Sequence, residues 1–358
     1  MMEMQTIAFI SKMTCAKRGI SGMVTLKDIA EACGVSPATV SRALNGFTDP
    51  AKRNAALILQ TAREMGYYPN AAARTLKTSR SWNIGVLYEN RLDHEYFSAL
   101  LTALRECAEE KGYDLTFIRR SKDGEEGGYY ERARQRSLDG VMVLQADVYS
   151  ADVMRLASGS VPAVLIDYVY EGCDSVINDN RGSMEQIVKA VWENGHRRVA
   201  MIRGEDCHVT RERLDGFYKS CAERGLRVPA EYVREGHFHQ PENCARIVEA
   251  LMALPVPPTC VLCPDDFSCL GALESLKKRG FKAPEDLSLV GYDGILMTQL
   301  THPRLTTYRQ DTEQAARETV SLLLDAIEAP EEHQPRRIIV PGELIMGETL
   351  GKAPKNSR

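Results

Sequence analysis

The sequence predicts an α/β protein with an N-terminal all-α headpiece and a two-lobed core of parallel sheets. Residues 25–46 carry the start and stop signals of two short helices joined by a tight turn. From Asn83 onward, short apolar strands alternate with helical stretches, as in parallel sheets covered on both faces. The alternation runs in two series over about 270 residues, which predicts two similar lobes with a cleft between them.

The first two helices are predicted from their capping residues. Thr25 can cap the first helix, and Asp28, three residues later, can complete a capping box. Gly34 supplies the left-handed residue that ends this helix. Ser36 is a second N-cap, and Pro37 occupies the first helical position, where its missing N–H costs nothing. The pattern is a helix-turn-helix, although a pair of packed helices inside a larger helical domain gives the same signals.

Two further segments complete the predicted headpiece. A third helix is expected from about Pro50 to Met65, where Leu57, Ile58 and Ala62 recur at helical spacing. Residues 71–77 have good helix propensity but too few apolar side chains to fold alone, so we expect a helix that forms only against another surface.

Charge is distributed unevenly along the chain, whose net charge is −4. Residues 1–82 carry eleven Lys/Arg against five Asp/Glu, a balance of +6, so the remainder carries −10. A basic head on an acidic body suits a polyanion-binding domain. The apolar runs are too short for a membrane span or a signal peptide, which predicts a cytoplasmic protein.

The predicted organisation has five parts. Residues 1–22 are a disordered extension or a misassigned start, with Met1 or Met23 as the first residue, and residues 23–69 are the helix-turn-helix domain. A hinge helix and linker at 70–82, a two-lobed ligand-binding and dimerisation core at 83–350 and a tail at 351–358 follow.

Ten cysteines do not form a recognisable metal or disulfide pattern. Cys260-x-x-Cys263 lacks a second pair, and Cys260 starts an apolar run typical of a buried strand. His237 and His239 form a local pair without obvious ligand partners. Zinc binding or redox sensing is the less favoured interpretation, and we predict no metal, no cofactor and no catalytic residue. The sequence has no phosphate loop or nucleophile elbow that would indicate an enzyme.

From Val24 to Leu350 the chain resembles the lactose/galactose repressor family of bacterial transcription regulators, and its two-lobed core resembles periplasmic binding proteins. The order and spacing of several motifs make this resemblance specific. They are Thr25–Asn45, Gly66–Asn70 with Ala73–Leu76, Val161–Asp167, Asp179–Gly182, Gly195–Ala200, Arg213–Phe217, Val290–Asp293 and Leu305–Thr307.

The resemblance implies that the helix starting at Pro37 enters the major groove. Arg42 is suited to read guanine, Ala38 offers only a methyl contact, and Leu76 is the expected wedge in the minor groove. Where the family has a Ser cap and a Thr-Arg pair, this sequence has Ala51 and Asn54-Ala55, which weakens the expected phosphate contacts there. The predicted DNA-binding residues are Thr25, Ser36, Pro37, Ala38, Thr39, Ser41, Arg42, Asn45, Asn70, Ala73 and Leu76.

The resemblance also implies a ligand site between the lobes. Arg213 and Asp293 lie in matching motifs, and their donors and acceptors suit adjacent hydroxyls. Asp265 is expected to join them from the end of its strand, where the adjacent Asp266 points the opposite way, and Phe238 to stack on a sugar face. The predicted ligand-binding residues are His94, Phe97, Gln145, Asp167, Arg213, Phe238, Asp265 and Asp293, with Tyr96 a weaker candidate; Phe97 and Asp167 are equally well explained as core or capping residues.

Together these features predict a ligand-responsive repressor of carbohydrate-utilisation genes. Its expected partners are double-stranded operator DNA with a palindromic site, a small effector, expected to be a neutral sugar because two acids lie near the site, and a second copy in a homodimer or larger assembly. No membrane partner is expected. Whether the effector releases or promotes DNA binding is left open, as is the alternative of a sugar-binding protein without a DNA function.

Overall fold

A computed structural model describes residues 24–44, 52–68, 75, 80–89, 94–119 and 128–354. It divides into two compact units that meet between Ser81 and Trp82. The predicted N-terminal extension lies outside the described residues, as do four predicted DNA-binding residues, Asn45, Asn70, Ala73 and Leu76.

The N-terminal unit is helical. Its helices are α1 (Leu26–Cys33), α2 (Pro37–Leu44) and α3 (Lys52–Glu64). The predicted caps of the first two helices are confirmed. Thr25 and Asp28 form a complete capping box, and Gly34 ends α1 with φ 66°. The Ser36 hydroxyl accepts a hydrogen bond from the Thr39 amide at the start of α2. The small core consists of Ile29, Ala30, Val40, Ile58 and Ala62.

The described residues of the core unit form twelve strands. They are β1 (Asn83–Tyr88), β2 (Asp114–Ile118), β3 (Gly140–Gln145), β4 (Ala163–Ile166), β5 (Asp174–Asn178), β6 (Val199–Arg203), β7 (Val233–Glu235), β8 (Cys260–Leu262), β9 (Ser288–Asp293), β10 (Thr306–Arg309), β11 (Arg337–Val340) and β12 (Glu343–Ile345).

These strands make two sheets, with orders β11-β5-β4-β3-β1-β2 and β12-β10-β9-β8-β6-β7. Neighbouring strands are parallel in both sheets, except that β12 is antiparallel to β10. The fully buried residues of β4 and β8 show why their sequences are continuous apolar runs: helices cover both faces. The predicted α/β class with two lobes of parallel-dominated sheets is therefore confirmed.

The helices of the core follow the strands in alternation. They are α4 (Glu95–Glu110), α5 (Tyr129–Gln135), α6 (Ala151–Ala157), α7 (Asn180–Glu193), α8 (His208–Glu223), α9 (Pro241–Met252), α10 (Asp266–Lys278), α11 (Met297–Leu300) and α12 (Thr312–Glu328), with a 3₁₀ turn at Ala230–Tyr232. None of the helices in the described ranges is long and apolar enough to cross a membrane.

The chain passes between the two lobes three times. We call the sheet that contains β1, with its helices, the first lobe, and the sheet that contains β6 the second lobe. The chain enters the second lobe between β5 and α7, returns between β10 and α12, and crosses again between β11 and β12. Helix α12 packs on α4 and on the first sheet. The first lobe is therefore completed by residues that follow the second lobe in sequence.

Candidate functional site

The exposed surface of α2 carries the residues predicted to contact DNA. Ala38 and Arg42, one turn apart, are both exposed and so lie on the same face, while Val40 points into the core. Thr39 and Ser41 are half-buried. The helix thus presents a short residue and a guanidinium to solvent, as a groove-reading helix requires.

Two of the predicted DNA-binding residues also have a structural role. The Thr25 hydroxyl donates a hydrogen bond to Asp28 Oδ2 over 2.9 Å, and the Thr25 amide donates to the same oxygen over 2.8 Å. The Ser36 and Thr39 hydroxyls lie 2.9 Å apart. These hydroxyls stabilise the first turns of α1 and α2. Thr25 and Ser36 are exposed and Thr39 is half-buried.

The side chain of Arg213, on α8 in the second lobe, is fixed by several contacts. Arg213 Nε donates to Asn180 Oδ1 over 2.9 Å, and Nη1 donates to the carbonyl of Pro264 over 3.0 Å. Its guanidinium lies on the Tyr292 ring, with 3.4 Å between Cζ and the ring centre. Nη2 has no hydrogen-bond partner among the described residues. Arg213 is thus held rigidly and retains donors for a ligand.

Asp293, at the end of β9, comes close to Arg213 and to the first lobe. Gln310 Nε2 donates to Asp293 Oδ1 over 2.7 Å, and His94 Nε2 of the first lobe lies 3.8 Å from Oδ2. Burial, and then the negative charge of Asp266, raise the pKa of Asp293 well above its usual value, which Arg213 only partly offsets. A protonated carboxyl can donate and accept hydrogen bonds, whereas a carboxylate only accepts them.

The predicted place of Asp265 at a strand end is wrong. Strand β8 ends at Leu262, and Asp265 is the N-cap of α10. Its Oδ1 accepts from the Ser268 amide over 2.7 Å, and its Oδ2 accepts from the His239 amide over 2.9 Å. Although burial acts to raise it, the pKa of Asp265 lies below its usual value, because these groups and the His239 side chain favour the ionised form. Both oxygens are occupied, so Asp265 positions its neighbours.

Asp266 lies in the first turn of α10, not on a strand end, and points to different partners. Its Oδ2 accepts from the Gly294 amide over 2.7 Å and the Ile295 amide over 3.0 Å, just after β9. Burial raises its pKa to about 7. The interpretation that the two acids do not act as a pair agrees with this divergence.

Phe238 and His239 bring aromatic surface to the site. The Arg213 Cζ lies 5.7 Å from the centre of the Phe238 ring, and Phe238 lines the same small cavity as Arg213. Gly204 allows this approach, because a Cβ there would lie 2.1 Å from the ring. The His239 ring contacts the His94 ring across the lobes, with 3.7 Å between ring centres and an angle of 43° between the ring planes. His239 was not among the predicted site residues. The only feature of the sequence that could have pointed to it was the local pair of His237 and His239.

In the first lobe, His94, Tyr96 and Phe97 cluster at the start of α4. Their rings are in mutual contact, with centre distances from 5.0 to 6.4 Å. Phe97 also packs against the first-lobe core, so its alternative interpretation as a core residue agrees with the structure. Tyr96 is buried, and its hydroxyl accepts a hydrogen bond from Asn178 Nδ2 over 2.9 Å. Burial, then the charges of Asp167 and Asp293, raise its pKa well above the usual value.

Gln145 is the last residue of β3, and Asp167 directly follows the neighbouring strand β4. Asp167 has φ 60°, and its Oδ1 accepts from the amide and the side chain of Asn178 over 3.1 Å. It therefore joins the ends of β4 and β5, and burial raises its pKa. Gln145 Oε1 is buried without a hydrogen-bond partner among the described residues, so its amide retains an acceptor.

The cavity beside Arg213 is small in this arrangement. It measures about 10 Å³, the space of about one water molecule. The residues that line it belong to the second lobe. The two lobes are joined elsewhere, by the contact between His94 and His239 and by the hydrogen bond from the Leu296 amide to Glu95 Oε1. A larger ligand beside Arg213 requires the lining side chains to move, and a ligand between the lobes requires these two contacts to open.

Most of the described cysteines are buried free thiols. Cys260 is fully buried in β8, as its apolar run predicted. Within the described ranges all cysteines are free thiols, and no group of three or more His, Cys, Asp or Glu side chains has an arrangement that could hold a metal ion.

Comparison with known proteins adds independent information. Residues 25–70 match the model for bacterial regulatory proteins of the lacI family, and residues 188–350 match a periplasmic binding protein-like domain. The HTH-type transcriptional repressor PurR of Pasteurella multocida is 30% identical over 318 residues, which are 87% of this chain and 94% of that protein. PurR of Haemophilus influenzae (strain PittEE) is 30% identical, with 92% and 99% of the two chains covered.

Solved structures show the same fold. The lac repressor dimer bound to operator and the anti-inducer ONPF is 24% identical, with a TM-score of 0.79, and 92% of this chain and 100% of that chain are covered. A complex of the transcriptional regulator CelR with cellobiose is 25% identical, with a TM-score of 0.65, and 91% and 99% are covered. The chain therefore belongs to the lacI family of bacterial regulatory proteins and is a DNA-binding transcriptional regulator with a ligand-binding core.

Proposed function

We propose that this protein is a repressor of carbohydrate-utilisation genes whose inter-lobe cleft binds a small neutral sugar. The main support for this proposal is the position of Arg213. Its buried guanidinium is fixed by two hydrogen bonds and an aromatic ring, and its Nη2 remains available beside a cavity to donate to a ligand. Two N–H groups of one planar fork suit a pair of adjacent hydroxyls. The Phe238 ring supplies an apolar face for the sugar ring.

The charges around the site favour a neutral ligand over an anion. Asp293, Asp266 and Asp167 all have raised pKa values, because burial makes their negative charges costly. An anionic ligand would add a further negative charge to this region. A neutral polyol instead hydrogen-bonds to the carboxyl of Asp293 in either protonation state.

A planar nitrogen heterocycle is the second ligand class, because the site is rich in rings. The ring centres of His94 and His239 lie 3.7 Å apart, and Phe97 and Phe238 lie beside them. Offset stacking of a flat ligand among such rings is favourable. The similar regulator CelR has been solved in complex with cellobiose, which supports the sugar as the first ligand class.

On the DNA side, we propose that the protein binds a palindromic operator as a homodimer, with one headpiece on each half-site. The lac repressor is described as a dimer bound to operator, which supports this assembly. Arg42 is proposed to read a guanine, and Asn45, Asn70, Ala73 and Leu76 to contact DNA from the segments around it. Because the target is chromosomal DNA, we propose that the protein acts in the cytoplasm and without catalysis.

The ligand is proposed to control DNA binding by favouring one arrangement of the two lobes. A ligand shifts such an equilibrium only by its difference in affinity for the two arrangements. The 10 Å³ cavity and the His94–His239 contact make the observed arrangement unsuited to a sugar. Sugar binding is therefore expected to favour an arrangement in which this contact is broken.

The test begins with a thermal-shift screen of the full-length protein against neutral sugars, sugar phosphates and planar heterocycles. Operator sequences are selected from random duplexes, and each hit is then added to the operator complex. A neutral sugar that changes operator affinity supports the proposal, and the direction of the change identifies it as an inducer or a corepressor. If only an anion or a heterocycle acts, the sugar assignment is wrong. If no duplex is selected, the protein lacks the DNA function.

Asp293→Asn provides a variant for this test. It keeps the shape of the side chain, and it is expected to weaken the response to the sugar while operator affinity without ligand stays unchanged. Glu193→Gln, at an exposed position of the same lobe, is the matched control. An unchanged ligand response in Asp293→Asn would show that the pocket assignment is wrong.

A further inference from the structure

The core unit has a second and larger cavity, which the proposed sugar site does not use. It measures about 180 Å³ and lies beyond the ends of β3 and β4, against helix α6. Leu165, Tyr168 and Ala157 of the first lobe line it, and His208 of the second lobe closes it. It shares no lining residue with the cavity beside Arg213.

The lining is apolar and uncharged. Aliphatic and tyrosine side chains form the walls, and no carboxylate, ammonium or guanidinium group lines the cavity. The cavity is partly open, because Tyr149 and Val169 are exposed, so its apolar walls contact water that a small apolar molecule would displace. Its volume is comparable to that of a cavity of about 150 Å³ that accepts benzene. The chemistry of the walls therefore selects an uncharged ligand the size of a single ring.

One polar atom in this lining lacks a partner. His208 Nε2 is buried and has no hydrogen-bond partner among the described residues. Burial lowers the pKa of His208, so the imidazole is neutral near pH 7. A buried polar atom without a partner costs free energy, which a ligand with one hydrogen-bonding group recovers.

The rim of the cavity joins the two lobes. Arg211 Nη2 of the second lobe donates a hydrogen bond to the hydroxyl of Tyr149 in the first lobe over 2.6 Å, and Asp206 Oδ1 accepts from Arg211 Nη1 over 2.8 Å. A molecule in the cavity therefore contacts residues of both lobes. Its binding would depend on the arrangement of the lobes and would shift it.

We infer that this cavity is an accessory effector site for an uncharged, single-ring molecule with one polar group, such as a phenol. The ring lies between Leu165 and Tyr168, and the hydroxyl hydrogen-bonds to His208 Nε2. Its binding is coupled to that of the occupant of the Arg213 site, since each ligand favours a particular lobe arrangement.

Phenol and benzene are the probes, measured by calorimetry and equilibrium dialysis on the full-length protein. We expect saturable phenol binding with a Kd on the order of 1 mM, typical of a ligand of this size. Ala157→Phe fills the cavity and is expected to weaken phenol binding at least tenfold. Ala151→Phe, at an exposed position of the same helix, is the matched control and is expected to leave it unchanged.

His208→Phe tests the hydrogen bond separately, because it removes the polar atom and keeps a ring. The preference for phenol over benzene is expected to fall to nearly one in this variant. A sugar found in the screen is expected not to displace phenol competitively, which distinguishes this site from the sugar site. The proposal is overturned if the wild-type protein shows no saturable phenol binding, or if Ala157→Phe binds phenol as the wild type does while His208→Phe keeps the preference.

Discussion

The guanidinium of Arg213 links the Tyr292 ring, 3.4 Å away, to Asn180, whose Oδ1 accepts its Nε hydrogen bond. Asn180 begins α7, at the first crossing between the lobes. Tyr292 also donates a hydrogen bond to the Ser183 hydroxyl of the same helix over 2.9 Å. The arginine proposed to hold the ligand is therefore attached directly to the segment along which the chain passes between the lobes.

Replacing Arg213 by Lys should separate charge from geometry. The variant keeps the positive charge but loses the planar fork, and Asn180 Oδ1 and the Pro264 carbonyl lose a donor. We expect ligand affinity to fall at least tenfold and the free energy of unfolding to fall by about 1–3 kcal/mol. Calorimetry with the screened ligand and urea unfolding measure the two effects.

Arg224→Lys is the matched control for this prediction. Arg224, at the end of the same helix, is half-buried and donates to the Ser220 hydroxyl over 2.8 Å, but it does not line the cavity. It should bind ligand as the wild type does. Equal losses in the two variants would mean that the effect comes from the helix and not from the ligand site.

Arg42 on α2 is predicted to specify one base pair of each half-site. Arg42→Ala should cost about 1–3 kcal/mol of operator affinity per half-site contact, because a bidentate arrangement to guanine is lost. Mobility-shift titrations with the selected operator measure this loss. The wild type should also lose affinity when that guanine is replaced, whereas Arg42→Ala should not discriminate. If every base substitution still affects the variant as it affects the wild type, Arg42 contacts only phosphate.

Leu76 lies outside the described residues, so its role as a minor-groove wedge stays a prediction from the sequence. Leu76→Ala should lower operator affinity and reduce the DNA bend, because the apolar side chain that separates the base steps is lost. Leu76→Met, which keeps an apolar chain of similar volume, is the control. Circularly permuted operator fragments report the bend. Unchanged affinity and bend in Leu76→Ala would exclude the wedge.

Asp266 is predicted to make the stability of the core depend on pH. Its pKa is raised by burial to about 7, above the ordinary value of 3.8, so the folded protein binds a proton that the unfolded chain releases. Its stabilising contribution is therefore complete below about pH 4 and is lost as pH rises through about 7. Asp266→Asn, which resembles the protonated acid, should become more stable relative to the wild type across this range.

Urea unfolding at intervals from pH 4.5 to 7.5 measures this difference, and one proton corresponds to a slope of at most about 1.4 kcal/mol per pH unit. Glu193→Gln, at an exposed position, is the control, and its stability curve should run parallel to that of the wild type. Parallel curves for Asp266→Asn as well would show that Asp266 is ionised in the folded protein throughout the range.

Local signals in the sequence were sufficient for helices α1, α2 and α3 and for most of the core strands, whereas the predicted helix at residues 71–77 falls largely outside the described residues. The caps at Thr25, Gly34 and Ser36 were predictable because each depends on neighbours within a few residues. The strands β7, β10, β11 and β12 were not predicted. They are short, and β7, β11 and β12 are edge strands with exposed polar residues, so their existence depends on tertiary pairing rather than on a local apolar pattern.

The site was predictable only in part for a similar reason. Arg213 and Asp293 come close together, but Asp265 was predicted at a strand end, whereas β8 ends at Leu262 and Asp265 is the N-cap of α10. His239 and Tyr292 could not be assigned from their own surroundings. The His239 contact depends on the distance between the lobes, and the Tyr292 contact depends on the crossing at Asn180.

The triple crossing also determines when the first lobe can be completed during synthesis. Its sheet ends with β11, and its helix α12 is made only after the whole of the second lobe up to β10. A ribosome that has just added residue 310 has therefore made strands β1 to β5 without β11 and α12. The second lobe lacks little by then, so the lobe made later is expected to fold earlier, and a nascent chain stalled at this point would expose an apolar sheet face to chaperones.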